Sequence, residues 1–378
     1  MDLSLSEEQR LLQESIDRFI EKDYTFTKRQ QRLATELLYD QAIWQQMAEF
    51  GWLGLPFSEK AGGLGGSLVD VVLLAQGLGK GLVIEPYLAV FLAGRIMERL
   101  LGEAASSWLA GVIEGSKVPA LAYAEPGSRF APCWTETTAR PAQDGYLLGG
   151  QKLLVFGASV AEELLVTARL QGEPGDVQGI GLFAVPAQTN GLQMLAYRMM
   201  HGTPGADLLL DGVMVPKSAC LADDVGQTLL TVVDEATVVA CGDALGSMEA
   251  TFWKTLDYAK TRKQFGVPIG SFQVLQHYLV DMFMEVEQSR SITYMAAMQA
   301  AGEDPVAASQ AASAAKAYVS RAATFVGQKA VQIHGGMGMT EELDIGHYFR
   351  RLTMLSSLFG DRDYHVRRFG SMQTVTTA

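Results

Sequence analysis

The sequence predicts an α+β chain in which an N-terminal all-α domain, a middle β-domain and a C-terminal helical bundle follow one another. Apolar residues recur at helical spacing near both ends of the chain. Between them lie short β-type runs that are separated by Gly, Pro and Asp. The expected domains are residues 1–115, 116–224 and 225–378. Helices of ten or more residues do not fit between the β-type runs, so parallel βαβ units are not expected.

The first expected helix of the N-terminal domain begins at Ser6. Gln9 follows three residues later, which is the pattern of a capping box at a helix start. Further helices are expected over residues 40–50 and 68–79, with the loop AGGLGG at 61–66 between them. The expected strands are residues 120–124, 146–148, 153–156, 163–167, 181–185 and 207–215. The expected C-terminal helices are residues 228–262, 273–301 and 305–335, and the last two are rich in Ala and Met.

Composition excludes several classes of protein. The 378 residues include 30 basic and 42 acidic side chains, which gives a formal charge of −12 and disfavours binding to nucleic acid phosphates. The three cysteines are far apart and form no metal-binding pattern, so neither a metal site nor a disulfide framework is expected. The acidic N-terminus does not resemble a signal peptide, and no apolar run is long enough to span a membrane. We expect a cytoplasmic protein.

The most informative stretch is YAKTRKQFGVPIGSFQVLQ at residues 258–276, where a helix leads into a Gly/Pro loop. Arg262 offers a fork of donors suited to phosphate, and Gln264 adds a neutral amide. The alternative is an ordinary solvated helix end, where basic residues interact favourably with the helix dipole.

Two further motifs follow the same order of elements. QIHGGMGMT at residues 332–340 places two glycines after an Ala-rich helix, so its backbone can approach a ligand closely. A simple helix C-cap would explain the same glycines, and His334 is either catalytic or structural. AEPGS at residues 124–128 is by itself a turn.

Together, RKQFGVPIGSFQ, QIHGGMGMT and AEPG resemble the acyl-CoA dehydrogenase family over nearly the whole chain. The resemblance implies a C-terminal four-helix bundle, FAD, an acyl-CoA substrate, electron-transfer flavoprotein as partner, and a homo- or heterotetramer. The ending HYFRRLTMLSSLFGDRDYH is most similar to the small subunit of pimeloyl-CoA dehydrogenase-type enzymes.

The resemblance also implies roles for individual residues. Two segments would hold the FAD diphosphate and adenosine, in the family across a subunit interface: Arg262, Gln264, Phe265 and Gln273 in the first, and Gln332, Gly335 and Gly336 in the second. Ala124 and Phe156 stand where the family places threonines beside the flavin ring. Leu121 and Leu154 replace the family's Tyr and Trp there, so polar ring contacts are missing. Ser128 and Arg129 are candidate substrate residues, since Arg129 could meet a distal carboxylate or the CoA phosphates.

The base that removes the α-proton is harder to assign. Most family members carry a Glu before a Gly near the C-terminus, and Phe359 occupies that position here. Some members supply the base from the first helix of the C-terminal domain, where this chain has Asp243 and Glu235. Asp361 is another candidate. Each of these acids could equally be a solvated or capping residue.

Three functions therefore stay open. In the first, the chain is an active flavoenzyme that uses Asp243 or Glu235 as base. In the second, it is a partner subunit that binds FAD lodged in a neighbouring subunit with a complete active site. The third is an acyl-CoA-binding protein without flavin chemistry, which the retained RKQFG segment disfavours.

Overall fold

The computed structural model describes residues 5–35, 39–302 and 304–375. The helices that precede the sheet are α1 (Glu7–Lys22), α2 (Phe26–Leu33), α3 (Gln41–Glu49), α4 (Leu68–Lys80), α5 (Tyr87–Leu101) and α6 (Ser106–Ile113). The sheet strands are β1 (Pro119–Ala122), β2 (Thr138–Ala142), β3 (Gly145–Phe156), β4 (Glu163–Arg169), β5 (Ile180–Pro186), β6 (Leu192–Arg198), β7 (Pro204–Pro216) and β8 (Cys220–Ala222). The remaining elements are α7 (Gly226–Thr261), β9 (Lys263–Gln264), β10 (Val267–Pro268), α8 (Gln273–Ala300), α9 (Pro305–His334), α10 (Asp344–Ser357) and α11 (Arg362–Val375). This order confirms the predicted fold class.

The chain forms two compact units. The helical unit comprises Met1–Gln31, Ser67–Val83 and Thr237–Ala378, and the sheet unit comprises Arg32–Gly66 and Ile84–Ala236. Helix α7 contributes residues to both units. The three domain boundaries expected from the sequence stay a prediction.

Side-chain caps set the starts of α1 and α9 in the helical unit. The Ser6 hydroxyl accepts from the Gln9 amide N–H at 3.2 Å, and the Gln9 side chain accepts from the Ser6 N–H at 3.0 Å. This confirms the predicted capping box. Helix α9 begins in the same way, because Asp304 accepts from two backbone N–H groups of its first turn and proline occupies the first helical position.

Helix α9 lies at the centre of the helical unit, where α8, α10 and α11 pack against it. Its buried positions are mostly small: Ala311, Ala312, Ala315, Ala322, Ala323, Gly327 and Ala330. Short side chains let neighbouring helix axes approach closely. The Ala-rich pattern of the sequence therefore corresponds to the packing core of this unit.

The sheet unit is built on eight strands in the order β6-β7-β3-β2-β4-β5-β8, with β1 beside β4. Pairing is antiparallel except where β4 runs parallel to β1 and β2. The register of β3 against β7 shifts between Lys152 and Val155, which is a bulge that redirects the intervening side chains. The bulge contains Leu154, which the family resemblance places beside the flavin ring.

Two general features bear on function. Cys133, Cys220 and Cys241 are free thiols. In the parts of the chain that the structure describes, every helix is too short or too polar to cross a membrane.

Candidate functional site

The first candidate binding segment is the hairpin that follows α7. Val267 pairs with Gln264, which leaves Phe265 and Gly266 as the connecting turn. Their φ angles are 53° and 83°, and positive φ at both central residues defines a type I′ turn. The Phe265 side chain is 93% exposed. The turn therefore holds an apolar ring out in solvent, where another molecule can reach it.

Exposed polar side chains lie on the residues that flank this turn in the sequence. Arg262 and Gln264 are exposed, and the Gln273 side chain is exposed at the first position of α8. The base of the hairpin is fixed because the Ile269 N–H donates to the Arg262 carbonyl at 2.8 Å. Within the described residues, the Arg262 guanidinium makes no ion pair. Its charge is therefore available to an anionic ligand.

The second candidate segment is the end of α9. The helix stops at His334 because Gly335 takes a φ of 60°, a value that glycine adopts without strain. A Cβ atom built on Gly335 or Gly336 would meet nothing within 4 Å. Gln332 is exposed just before them. The backbone here is open to a ligand or another chain.

The two segments meet within one chain. Tyr258, four residues before Arg262, stacks on His334 with ring centroids 4.2 Å apart and an interplanar angle of 24°. The structure thus brings together the two segments that the sequence predicts for one diphosphate. An arginine without an ion pair and a glycine turn with open space beside it are features that fit a diphosphate group.

The flavin-ring positions also lie side by side. The Leu153 N–H donates to the Ala124 carbonyl at 2.8 Å, which joins the AEPG turn to β3. Leu154 has a φ of 52°, is 60% exposed, and its N–H donates to the Asp207 carboxylate at 2.9 Å. Phe156 is half-buried. Because these side chains are apolar, only backbone groups offer bonds to a flavin ring, and the roles of Ala124 and Phe156 stay a prediction.

The acid of the AEPG turn is structural. Glu125 accepts from the buried Lys152 ammonium at 2.6 Å and from the backbone N–H groups of Glu136 and Thr137. Burial lowers the pKa of Lys152 to about 8, although the charge of Glu125 opposes this shift. The one signal for this pair that sequence reasoning missed is a lysine inside a β-type run, at a position that is buried in β3.

Ser128 and Arg129 differ in their availability. The buried Ser128 hydroxyl donates to the Glu125 carbonyl at 2.8 Å and accepts from the Glu125 N–H at 3.2 Å, so it closes its own turn. Arg129 is exposed, has a φ of 49°, and forms no ion pair among the described residues. A substrate role for either residue stays a prediction.

Glu235, the first candidate base, is held by two arginines. Its carboxylate accepts from Arg95 Nε and Nη2 at 3.0 and 3.1 Å, and it also pairs with Arg99. Burial alone would raise the pKa of Glu235, but the hydrogen bonds and charges of Arg95 and Arg99 outweigh it and lower that pKa. A carboxylate with a lowered pKa is a weaker base than a free one.

Asp243, the second candidate, is engaged in the same manner. Arg351 donates to it bidentately, from Nε at 2.7 Å and from Nη2 at 2.6 Å. The third arginine nitrogen donates to the Val83 carbonyl at 2.8 Å. Asp243 therefore neutralises a buried cation, and its role as a base stays a prediction.

The C-terminal candidates add no free carboxylate. Phe359 is 8% exposed with a φ of 60°, in a turn that precedes Gly360. Asp361 accepts from the Tyr364 N–H at 2.8 Å and so caps α11.

Comparisons with known proteins agree with this fold. Residues 6–110 match the model of the acyl-CoA dehydrogenase N-terminal domain, and residues 229–371 match that of the C-terminal domain. The chain is 30% identical over 360 residues to the probable acyl-CoA dehydrogenase YngJ of Bacillus subtilis, which covers 93% of each chain.

Solved structures share the fold of this chain. Butyryl-CoA dehydrogenase from Megasphaera elsdenii aligns with a TM-score of 0.87 at 27% identity, covering 99% of this chain and 100% of that one. A chain of the ChsE4-ChsE5 complex from Mycobacterium tuberculosis aligns with a TM-score of 0.88 at 25% identity, covering 99% of both.

The fold and these matches define a flavin-dependent oxidoreductase that acts on CH–CH bonds. The chain belongs to the acyl-CoA dehydrogenase family. Its cofactor is FAD, and its reaction class is the dehydrogenation of an acyl-CoA thioester.

Proposed function

We propose that this chain takes part in acyl-CoA dehydrogenation as one subunit of a mixed tetramer. In this assembly its Arg262 hairpin and its Gly335–Gly336 backbone bind the diphosphate of FAD lodged in a neighbouring subunit. That neighbour supplies the carboxylate that removes the α-proton. A self-sufficient enzyme that uses Asp243 or Glu235 as base is the alternative.

One observation carries the proposal: the candidate bases are engaged as hydrogen-bond or ion-pair partners, whereas the Arg262 guanidinium and the space beside Gly335 and Gly336 are open to a ligand. Glu235 and Asp243 each balance buried or half-buried arginines, and Phe359 cannot accept a proton. Arg262, in contrast, is exposed and has no ion pair among the described residues. An arginine fork beside glycines that lack a Cβ is suited to a diphosphate, which carries more charge than the flavin ring.

The proposed division of work follows from these residues. FAD, when bound, supplies the hydride acceptor for the substrate β-carbon. Arg262 would balance the diphosphate charge, and Gly335 and Gly336 would admit it because they carry no Cβ. Phe265, at the exposed hairpin tip, would be buried by the neighbouring subunit.

The proposal is tested with this chain alone and with an acyl-CoA dehydrogenase chain that carries Glu at the position matching Phe359. Flavin content and bleaching by acyl-CoA are recorded from visible spectra. We expect bleaching only in the mixture. Flavin that bleaches in the single chain would overturn the mixed-tetramer proposal and favour the self-sufficient enzyme.

A substitution locates the contribution of this chain. Arg262→Ala should weaken FAD binding by the mixture about 10- to 100-fold, because a charge-assisted contact is lost. Arg140→Ala is the matched control, since Arg140 is an exposed arginine of β2 that belongs to neither segment. Equal FAD affinity of both variants would contradict the proposal that Arg262 binds the diphosphate.

The finer features of the proposal concern substrate, acceptor and location. The likeness to the small subunit of pimeloyl-CoA dehydrogenase-type enzymes supports a dicarboxylic acyl group. The exposed Arg129 is the group that would meet its distal carboxylate or the CoA phosphates. Electron-transfer flavoprotein as acceptor and a cytoplasmic location complete the proposal.

A further inference from the structure

Tyr258 and His334 lie at the bases of the two diphosphate segments. Tyr258 accepts the last backbone hydrogen bond of α7, from the Arg262 N–H at 2.8 Å, so its position and that of Arg262 are linked. His334 is the last residue of α9 and directly precedes Gly335. Any contact between these two rings therefore connects one segment to the other.

The His334 ring is fixed from several sides. It is 5% exposed, and its Nδ1–H donates to the Ala330 carbonyl at 2.8 Å, one helical turn earlier. The glycine turn closes over it, because a Cβ atom on Gly338 would lie 3.1 Å from the His334 Cβ. Burial lowers the pKa of His334, and the hydrogen bond to Ala330 and the charge of Asp344 oppose this shift only in part.

Tyr258 contributes its ring and not its hydroxyl. It is half-buried, and its hydroxyl makes no hydrogen bond to any residue that the structure describes. The ring lies 4.2 Å from His334, tilted by 24°, which is a stacked arrangement. A stacked pair fixes both the separation and the relative orientation of the backbones that carry it.

We propose that Tyr258 and His334 are a positioning pair that sets the spacing between Arg262 and the Gly335–Gly336 backbone, so that both reach one diphosphate. This inference rests on the proposed function. Each segment has its own local support, in the Ile269–Arg262 hydrogen bond and in the α9 cap, so breaking the stack loosens their spacing without unfolding either.

The test compares Tyr258→Leu and His334→Leu with the matched control Tyr258→Phe in the FAD-binding assembly. Either leucine variant should raise the Kd for FAD about three- to tenfold, because the stack is lost. Tyr258→Phe keeps the ring and should retain the parental Kd. The double leucine variant should bind FAD no more weakly than either single leucine variant, since the two side chains act as one pair.

Reconstitution kinetics give the second readout. The apparent KM for FAD should rise in both leucine variants, whereas kcat at saturating FAD should stay at the parental value. An unchanged Kd in either leucine variant, or a loss in Tyr258→Phe equal to that in Tyr258→Leu, overturns the positioning role. If Arg262→Ala leaves FAD binding intact, the proposed function itself fails, and that result is independent of the stack.

Discussion

The substitution Asp243→Asn separates a structural role of this carboxylate from a catalytic one. Arg351 is 5% exposed and donates two hydrogen bonds to Asp243. A neutral amide cannot balance the buried guanidinium, and its NH2 group would face an arginine donor. Removing one partner of such a pair costs about 3–5 kcal/mol of unfolding free energy, because the other charge stays buried.

The assay is thermal unfolding together with turnover of the mixture. At roughly 2–4 °C per kcal/mol, Asp243→Asn should lower Tm by about 6–20 °C. Asp243→Leu combined with Arg351→Met should recover much of this loss, since both charges are then removed. An Asp243→Asn variant with parental Tm and abolished turnover would refute the structural explanation and identify Asp243 as the base.

Two further predictions concern buried titratable groups. His365 donates to the Phe359 carbonyl at 3.1 Å, and burial together with the charge of Lys316 lowers its pKa to about 3. Between that pKa and about 6.5, the unfolded chain binds more protons than the folded chain. The contribution of neutral His365 to the unfolding free energy is therefore fully present above this window and should be about 2 kcal/mol smaller at pH 5. His365→Gln, which keeps a donor, should flatten the decline of Tm between pH 7 and 5; an unchanged slope contradicts this. Lys152→Met should destabilise the sheet unit by about 3–5 kcal/mol in denaturant titrations, because Glu125 stays buried without its cation. Adding Glu125→Gln should restore part of that loss, and additive losses would count against the pair.

Long periodic helices were the features that the sequence could predict well. The expected helix over residues 273–301 is Gln273–Ala300, and the expected helix over 305–335 ends one residue earlier because Gly335 leaves the helical conformation. Strand β6 was missed because three of its seven positions are exposed and its apolar run is broken. Strand β2 was missed because it contains Pro141, which counts against a strand.

The candidate site was predictable only where its residues are close in sequence. The hairpin donors and the adjacent glycines lie within single motifs, so their types and order indicate a diphosphate. The arginine partners of the two acids lie far away in the sequence. Arg95 is 140 residues from Glu235, and Arg351 is 108 residues from Asp243. No local pattern reveals such pairs, and without them both acids resemble free bases.

The turn that carries the base in most family members is retained here although its side chain is a phenylalanine. The Lys316 ammonium donates to the carbonyls of Leu355 and Gly360 at 2.8 and 3.0 Å, and His365 donates to the Phe359 carbonyl. These bonds hold the backbone whatever side chain stands at position 359. A phenylalanine at position 359 therefore leaves the backbone of this turn in place, as the proposed partner subunit without its own base requires.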